Sequence, residues 1–192
     1  MQGDSIRATL LVTAVLETMN VPYAVGGSLA SSLHGVMRST MDVDILADLH
    51  YEQIQPFVNA LSAVFYADDE MIHDSIEHHS SFNLIHYETA FKVDVFIPKK
   101  RTFDRMQLER RIASTITTNP DRTIYVTSPE DVILAKLEWY RMGNEVSEHQ
   151  WRDVLGVIKM KLGELDQVYL RQWAKALNVS DLLERALEEG LK

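Results

Sequence analysis

The chain has 192 residues, of which 46% are hydrophobic and 24% are charged, with 8 Gly and 5 Pro. These proportions are typical of a globular protein and exclude a disordered or collagen-like chain. The sequence contains no cysteine, which excludes disulfides, thiolate nucleophiles and zinc sites built on sulfur. The formal net charge of −9 disfavours a broad surface that coats nucleic acid.

The charge is distributed unevenly along the chain. Residues 1–97 carry 13 acidic and 3 basic residues, whereas residues 98–192 carry 15 acidic and 16 basic residues. The first half therefore has either a solvated acidic face or carboxylates gathered around a cation. The N-terminus has no basic segment or cleavage site, and the apolar stretches are shorter than the roughly 20 residues that span a bilayer. We expect a cytoplasmic protein without a membrane partner.

Hydrophobic periodicity and turn residues predict the elements of secondary structure. In chain order these are a helix over 6–19, a strand over 23–25, a helix over 28–36 with Ser28 as its N-cap, a strand over 41–47, a helix over 51–64 that Pro56 bends or delays, a helix over 69–77, strands over 81–87 and 91–97, a strand over 123–127, and helices over 130–141, 148–160, 166–176 and 180–189.

This order predicts an α+β fold class. Residues 1–127 are expected to form an α+β core, and residues 128–192 a helical region packed on it. Six basic residues lie in the segment from Lys99 to Arg111, mostly on a predicted helix. Such a strip is usually a solvated helix face, but beside a site for an anionic substrate it suits a phosphate-bearing acceptor.

Two aspartates on one predicted strand carry the first chemical signal. Asp42 and Asp44 are two residues apart, so both carboxylates project from the same face of the strand. Their mutual repulsion favours a hard cation between them, and Mg²⁺ binds carboxylate oxygens together with substrate phosphates. Asp94 lies in a second alternating strand and can join them if the two strands are neighbours. Alternatively, all three aspartates are only the exposed face of a sheet.

A glycine turn precedes these strands. Gly26 and Gly27 end the first predicted strand and Ser28 opens a helix, an arrangement that presents backbone N–H groups to a phosphate. A single GGS is a weak signal, because surface turns use it often. GGS followed by a DxD strand and then a strand aspartate is much more specific.

The ordered set resembles the nucleotidyltransferase superfamily of polymerase-β-like fold, and in particular small bacterial enzymes of the abortive-infection and toxin-antitoxin type. The resemblance covers about residues 20–160. The segments that carry it are 25–30, 34–35, 38–40, 42–45, 82–85, 92–96 and 128–137. It implies a mixed sheet flanked by helices.

The resemblance also implies a function. Two Mg²⁺ ions would be held by Asp42, Asp44 and Asp94, which are the expected catalytic residues. An NTP such as ATP would be bound, and its monophosphate transferred to an acceptor hydroxyl with release of pyrophosphate. The nucleotide would contact Gly26, Gly27, Ser28, Arg38, Thr40 and Lys136.

Several alternatives stay open. The acceptor is a small molecule, an RNA or a protein, and the resemblance raises a cognate toxin or antitoxin as a partner. The chain could instead be a non-catalytic nucleotide-binding or toxin-antitoxin interaction module with the same fold, or a plain interaction protein. Arg38 and Thr40 could brace the loop, and Lys136 could be a surface lysine. Arg141, Arg152 and Asp153 are expected to form an ion pair between helices.

Overall fold

A computed structural model describes residues 2–34, 42–118 and 121–190 of the chain. It divides into two compact units. The sheet unit comprises Met1–Gly26 and Ser39–Val126, and the helical unit comprises Gly27–Arg38 and Thr127–Lys192. Of the helices in the described residues, none is long and apolar enough to cross a membrane.

In the described residues, the sheet unit is built on a mixed sheet of seven strands. They are β1 (Tyr23–Val25), β2 (Asp42–Ala47), β3 (Phe65–Tyr66), β4 (Ser81–His86), β5 (Lys92–Phe96), β6 (Ile112–Thr118) and β7 (Asp121–Val126). Their order in the sheet is β3-β4-β5-β2-β1-β7-β6. Strand β2 runs parallel to β5 and antiparallel to β1, which also pairs with β7 in parallel.

Helices cover the apolar side of this sheet. Val43, Ile45, Val93 and Val95 are fully or almost fully buried, and they alternate with more accessible residues along β2 and β5. This alternation is the mark of a sheet with one face in the core. The helices of this unit are α1 (Gln2–Thr18), a 3-10 turn (Tyr51–Gln53), α3 (Ile54–Leu61), α4 (Asp69–His78) and α5 (Thr102–Glu109). Helix α1 contacts β2, α4 contacts β4, and α5 contacts β1.

The helical unit packs its helices around Leu134, Leu137, Val154, Leu170 and Leu183, which are buried. Ser128, Ser147 and Asp166 cap three of the helices by accepting hydrogen bonds from backbone N–H groups of the first turn. The helices are α2 (Gly27–Leu33), α6 (Pro129–Met142), α7 (Glu148–Lys161), α8 (Gln167–Ala176) and α9 (Ser180–Gly190).

Three local expectations from the sequence are wrong. Gly27 adopts a φ of 57° and begins α2, so Ser28 is the second residue of the helix and not its N-cap. Helix α5 ends at Glu109, so Arg110 and Arg111 follow the helix instead of lying on it. Two observed strands, β3 and β6, are absent from the predicted set.

Candidate active site

Gly26, the first glycine of the turn, lies directly beside the DxD strand. Gly26 follows the last residue of β1, and its backbone N–H donates a hydrogen bond to the carbonyl oxygen of Asp44 at 2.8 Å. The bond continues the antiparallel register of the two strands, in which Val25 is opposite Ile45. The first glycine of the motif and the second aspartate are therefore hydrogen-bonded neighbours at the end of β1.

The three predicted carboxylates share one face of the sheet. Strands β2 and β5 are adjacent and parallel, with Asp44 opposite Asp94. Residues paired across two strands lie on the same face, and so do residues two apart on one strand. Asp42, Asp44 and Asp94 are all partly accessible, whereas the valines and isoleucine between them face the core. The sequence-based condition that the two strands are neighbours is confirmed.

The register adds two polar residues that were not predicted as site residues. Asn83 on β4 is opposite Asp94, and Lys92 on β5 is opposite Asp42. Both residues belong to the segments that carry the resemblance, and both lie on the accessible face by strand alternation. Lys92 precedes Asp94 by two residues, so the sequence already placed these two side chains on the same face.

Lys92 makes an ion pair inside this carboxylate group. Its Nζ lies 2.8 Å from Oδ2 of Asp94. The hydrogen bond from Lys92 to Asp94 raises the pKa of the ammonium group. The negative charges of Asp94, Asp42 and Asp44 add to that rise, while partial burial of the ammonium opposes it. The lysine is therefore firmly cationic and sits in the field of all three carboxylates.

The carboxylates suit Mg²⁺ in their chemistry, since hard oxygen ligands are what this ion prefers. Their arrangement does not yet suit it. Across residues 2–34, 42–118 and 121–190, no three Asp, Glu or His side chains are grouped so that they could hold a metal ion. One oxygen of the Asp94 carboxylate, Oδ2, is engaged by Lys92 in this arrangement.

The other predicted nucleotide contacts are Gly27, Ser28, Arg38, Thr40 and Lys136. Gly27, Ser28 and Lys136 belong to the helical unit. Lys136 is buried on α6 and its Nζ donates a hydrogen bond to Oδ2 of Asp153 at 2.8 Å, so it is not a surface lysine. Arg38 and Thr40 fall outside the described residues. The nucleotide contacts assigned to these five residues stay predictions.

The expected ion pair between Arg141, Arg152 and Asp153 is wrong. Asp153 pairs with Lys136, while Arg141 donates to Asp181 and Arg152 pairs with Glu148 on its own helix. Several helices carry both acidic and basic residues, so the sequence alone does not determine which ion pairs form. The packing of the helices decides which of them form.

Some residues of the basic strip from Lys99 to Arg111 make contacts within the sheet unit. Arg101 donates two hydrogen bonds to the buried carboxylate of Asp104, at 2.9 and 3.0 Å. Arg111 donates to the carbonyl of Leu108, and its guanidinium lies 4.8 Å from the ring centroid of Tyr125. The residues of the strip that are exposed are Lys99, Lys100 and Arg105.

Two solved structures resemble this chain over nearly their whole lengths. The solution structure of the antibiotic-resistance factor ANT(2'')-Ia has a TM-score of 0.56 at 12% identity and covers 100% of this chain and 96% of its own. The crystal structure of an antigenic nucleotidyltransferase-like protein from Paracoccidioides brasiliensis has a TM-score of 0.54 at 17% identity, covering 96% and 93%. These similarities confirm the predicted fold class, and at the level of the fold they confirm the resemblance to nucleotidyltransferases. No model of a known protein family matches the chain, and no curated protein matches it.

Proposed function

We propose that this protein is a nucleotidyltransferase, which moves a nucleoside monophosphate from an NTP such as ATP to a hydroxyl group of an acceptor. The observation that carries the proposal is the in-register placement of Asp44 and Asp94, with Asp42 on the same sheet face and Gly26 hydrogen-bonded to Asp44. The fold that this chain shares with a nucleotidyltransferase-like protein supports the reaction class.

The reaction needs a group that accepts a proton and a positive charge that neutralises the triphosphate. Asp94 is the proposed acceptor for the proton of the attacking hydroxyl. The hydroxyl oxygen forms a bond to the α-phosphorus while the bond to the pyrophosphate oxygen breaks, and pyrophosphate leaves with the electron pair. Asp42, Asp44 and Asp94 are the residues that would hold Mg²⁺, which would supply the positive charge that phosphoryl chemistry requires.

Among the predicted acceptors, the structure favours a small molecule over RNA. Arg101 and Arg111 make contacts inside the sheet unit, so the basic strip offers a polyanion fewer free cations than its sequence suggests. A small uncharged acceptor predicts transfer that is nearly independent of salt, whereas RNA predicts a steep fall with salt. A toxin or antitoxin partner stays a prediction from the resemblance alone.

The test is transfer of label from α-³²P NTPs to the small-molecule and RNA fractions of a cell extract, with Mg²⁺ and with EDTA. We expect transfer by the natural sequence, and a loss of at least about a hundredfold in Asp42→Asn and Asp94→Asn, which remove charge at the reacting centre. Asp48→Asn is the matched control, because it makes the same change just after β2 and should transfer normally.

Thermal unfolding of the same variants distinguishes a loss of catalysis from a loss of folded protein. Relief of carboxylate repulsion should leave the stability of Asp42→Asn unchanged or slightly raised. NTP binding without transfer in any fraction would favour the non-catalytic nucleotide-binding module. Failure to bind any NTP, with or without Mg²⁺, would contradict both functions.

A further inference from the structure

Lys92 is a neighbour of the carboxylates in the strand register. It is opposite Asp42 across the β2–β5 pair and two residues before Asp94 on the same strand. Its Nζ is 2.8 Å from Oδ2 of Asp94. The ammonium group of Lys92 therefore lies on the same face as the three carboxylates and contacts one of them.

The surroundings show what holds this lysine in place. The Lys92 side chain is 44% exposed and that of Asp94 is 19% exposed. The ammonium group of Lys92 is held by its ion pair with Asp94, and a partly exposed ion pair is weaker than a buried one. The ammonium can therefore leave Asp94 without rearrangement of the strand.

We propose that Lys92 is the resident cation of this carboxylate group, which a divalent ion must displace from Asp94 in order to bind. The proposal rests on the proposed function, because it concerns the metal site of that reaction. It is consistent with carboxylates that are aligned yet form no three-ligand group in the described part of the chain.

Two effects follow from this competition. A positive charge about 4 Å from a divalent cation repels it, and the repulsion is stronger near a protein surface than in bulk water. In addition, the lone pair of Asp94 Oδ2 that accepts the hydrogen bond from Lys92 becomes available to an ion only when the ammonium moves away. Removing the ammonium should therefore tighten divalent-ion binding in the absence of nucleotide. We expect a change on the order of tenfold, which is less than the full repulsion at that distance, because the flexible ammonium group can move away into solvent.

The experiment is titration with Mn²⁺ alone, followed by the disappearance of the EPR signal of free Mn²⁺. We expect Lys92→Met and Lys92→Gln to bind Mn²⁺ roughly tenfold more tightly than the natural sequence. Lys92→Arg, which keeps the charge, should bind as weakly as the natural sequence. Lys161→Met is the matched control, because Lys161 forms an ion pair of 2.9 Å with Glu164 in the helical unit.

Three outcomes contradict the inference, and they are distinguishable. Equal Mn²⁺ affinity in Lys92→Met and the natural sequence overturns it while leaving the proposed metal site intact. Tightening in Lys161→Met as large as in Lys92→Met overturns it as a nonspecific effect of net charge. No saturable Mn²⁺ binding in any of the proteins overturns the inference and the proposed metal site together. Thermal unfolding of each variant confirms that a folded protein is compared, and the two neutral variants check one another.

Discussion

Two lysine–aspartate pairs in this chain have the same length and opposite surroundings. Lys92–Asp94 in the sheet unit and Lys136–Asp153 in the helical unit both have an N–O distance of 2.8 Å. The side chains of the first pair are 44% and 19% exposed, and those of the second are 11% and 5% exposed. Distance alone would make the pairs equivalent, but burial makes one replaceable by solvent or another cation and the other a fixed part of the fold.

The helical unit extends this contrast to other polar groups. Asp131 is fully buried at the start of α6, where it accepts hydrogen bonds from the hydroxyls of Ser128 and Tyr169. Glu130 beside it accepts a hydrogen bond from the backbone N–H of Asp166. Buried polar groups that are fully paired specify one packing arrangement and are costly to break. In the sheet unit, by comparison, Asp42, Asp44 and Asp94 lie on a partly accessible face.

The largest expected effect is on the buried pair. Lys136→Met leaves the carboxylate of Asp153 buried without its ammonium partner, which should lower the free energy of unfolding by about 3–5 kcal/mol. Lys92→Met removes the exposed pair and should change it by less than about 1 kcal/mol. Urea denaturation of both variants measures the difference.

A double variant at the Lys136–Asp153 pair is the control. Lys136→Met combined with Asp153→Leu removes both charges, and an apolar pair of similar volume should restore most of the lost stability. If Lys136→Met is as stable as the natural sequence but binds ATP poorly, the buried pair is not structural and the predicted nucleotide contact of Lys136 is supported instead.

A smaller effect is expected from two tyrosine hydroxyls that donate to aspartates. Tyr169 donates to buried Asp131 at 2.7 Å, and Tyr66 donates to exposed Asp68 at 3.2 Å. Tyr169→Phe should cost about 1.5–3 kcal/mol, because it removes a bond to a buried charged group. Tyr66→Phe should change stability by less than about 0.5 kcal/mol. If urea denaturation gave equal losses of unfolding free energy for Tyr169→Phe and Tyr66→Phe, burial would not determine the strength of these two hydrogen bonds.

The sequence could predict the residues of the candidate site better than it could predict the ion pairs of the helical unit. Alternation along 41–47 and 91–97 places Asp42, Asp44 and Asp94 on strand faces, and a two-residue spacing needs no tertiary information. The partner of Asp153 could not be found this way, because Lys136 is 17 residues away on another helix. Which of several cations reaches a buried carboxylate depends on how the helices pack. The same holds for β6, which becomes a strand by pairing with β7 and follows a basic segment that resembles a helix.

The smallest expected effect is a pH dependence in which two histidines act in opposite directions. His34 is buried, with its Nε2 2.8 Å from the carbonyl oxygen of Thr127, and burial lowers its pKa below 6.5. His78 is exposed, and its hydrogen bond to the carbonyl of Asp74, together with the charge of that residue, raises its pKa above 6.5.

The signs follow from which state binds the proton more tightly. His34 favours the folded state above pH 6.5 and loses that contribution as the pH falls toward its lower folded pKa, because the unfolded chain takes up the proton first. His78 contributes stability below pH 6.5 and loses it as the pH rises through its higher folded pKa.

Between pH 7.5 and 5.5, His34→Gln should therefore lose less stability than the natural sequence, and His78→Gln should lose more. Glutamine at position 34 can still donate a hydrogen bond to Thr127, so the comparison isolates protonation from the loss of that bond. Urea denaturation at the two pH values measures the slopes. A slope in His34→Gln equal to that of the natural sequence would mean that this histidine takes up its proton as readily in the folded protein as in the unfolded chain.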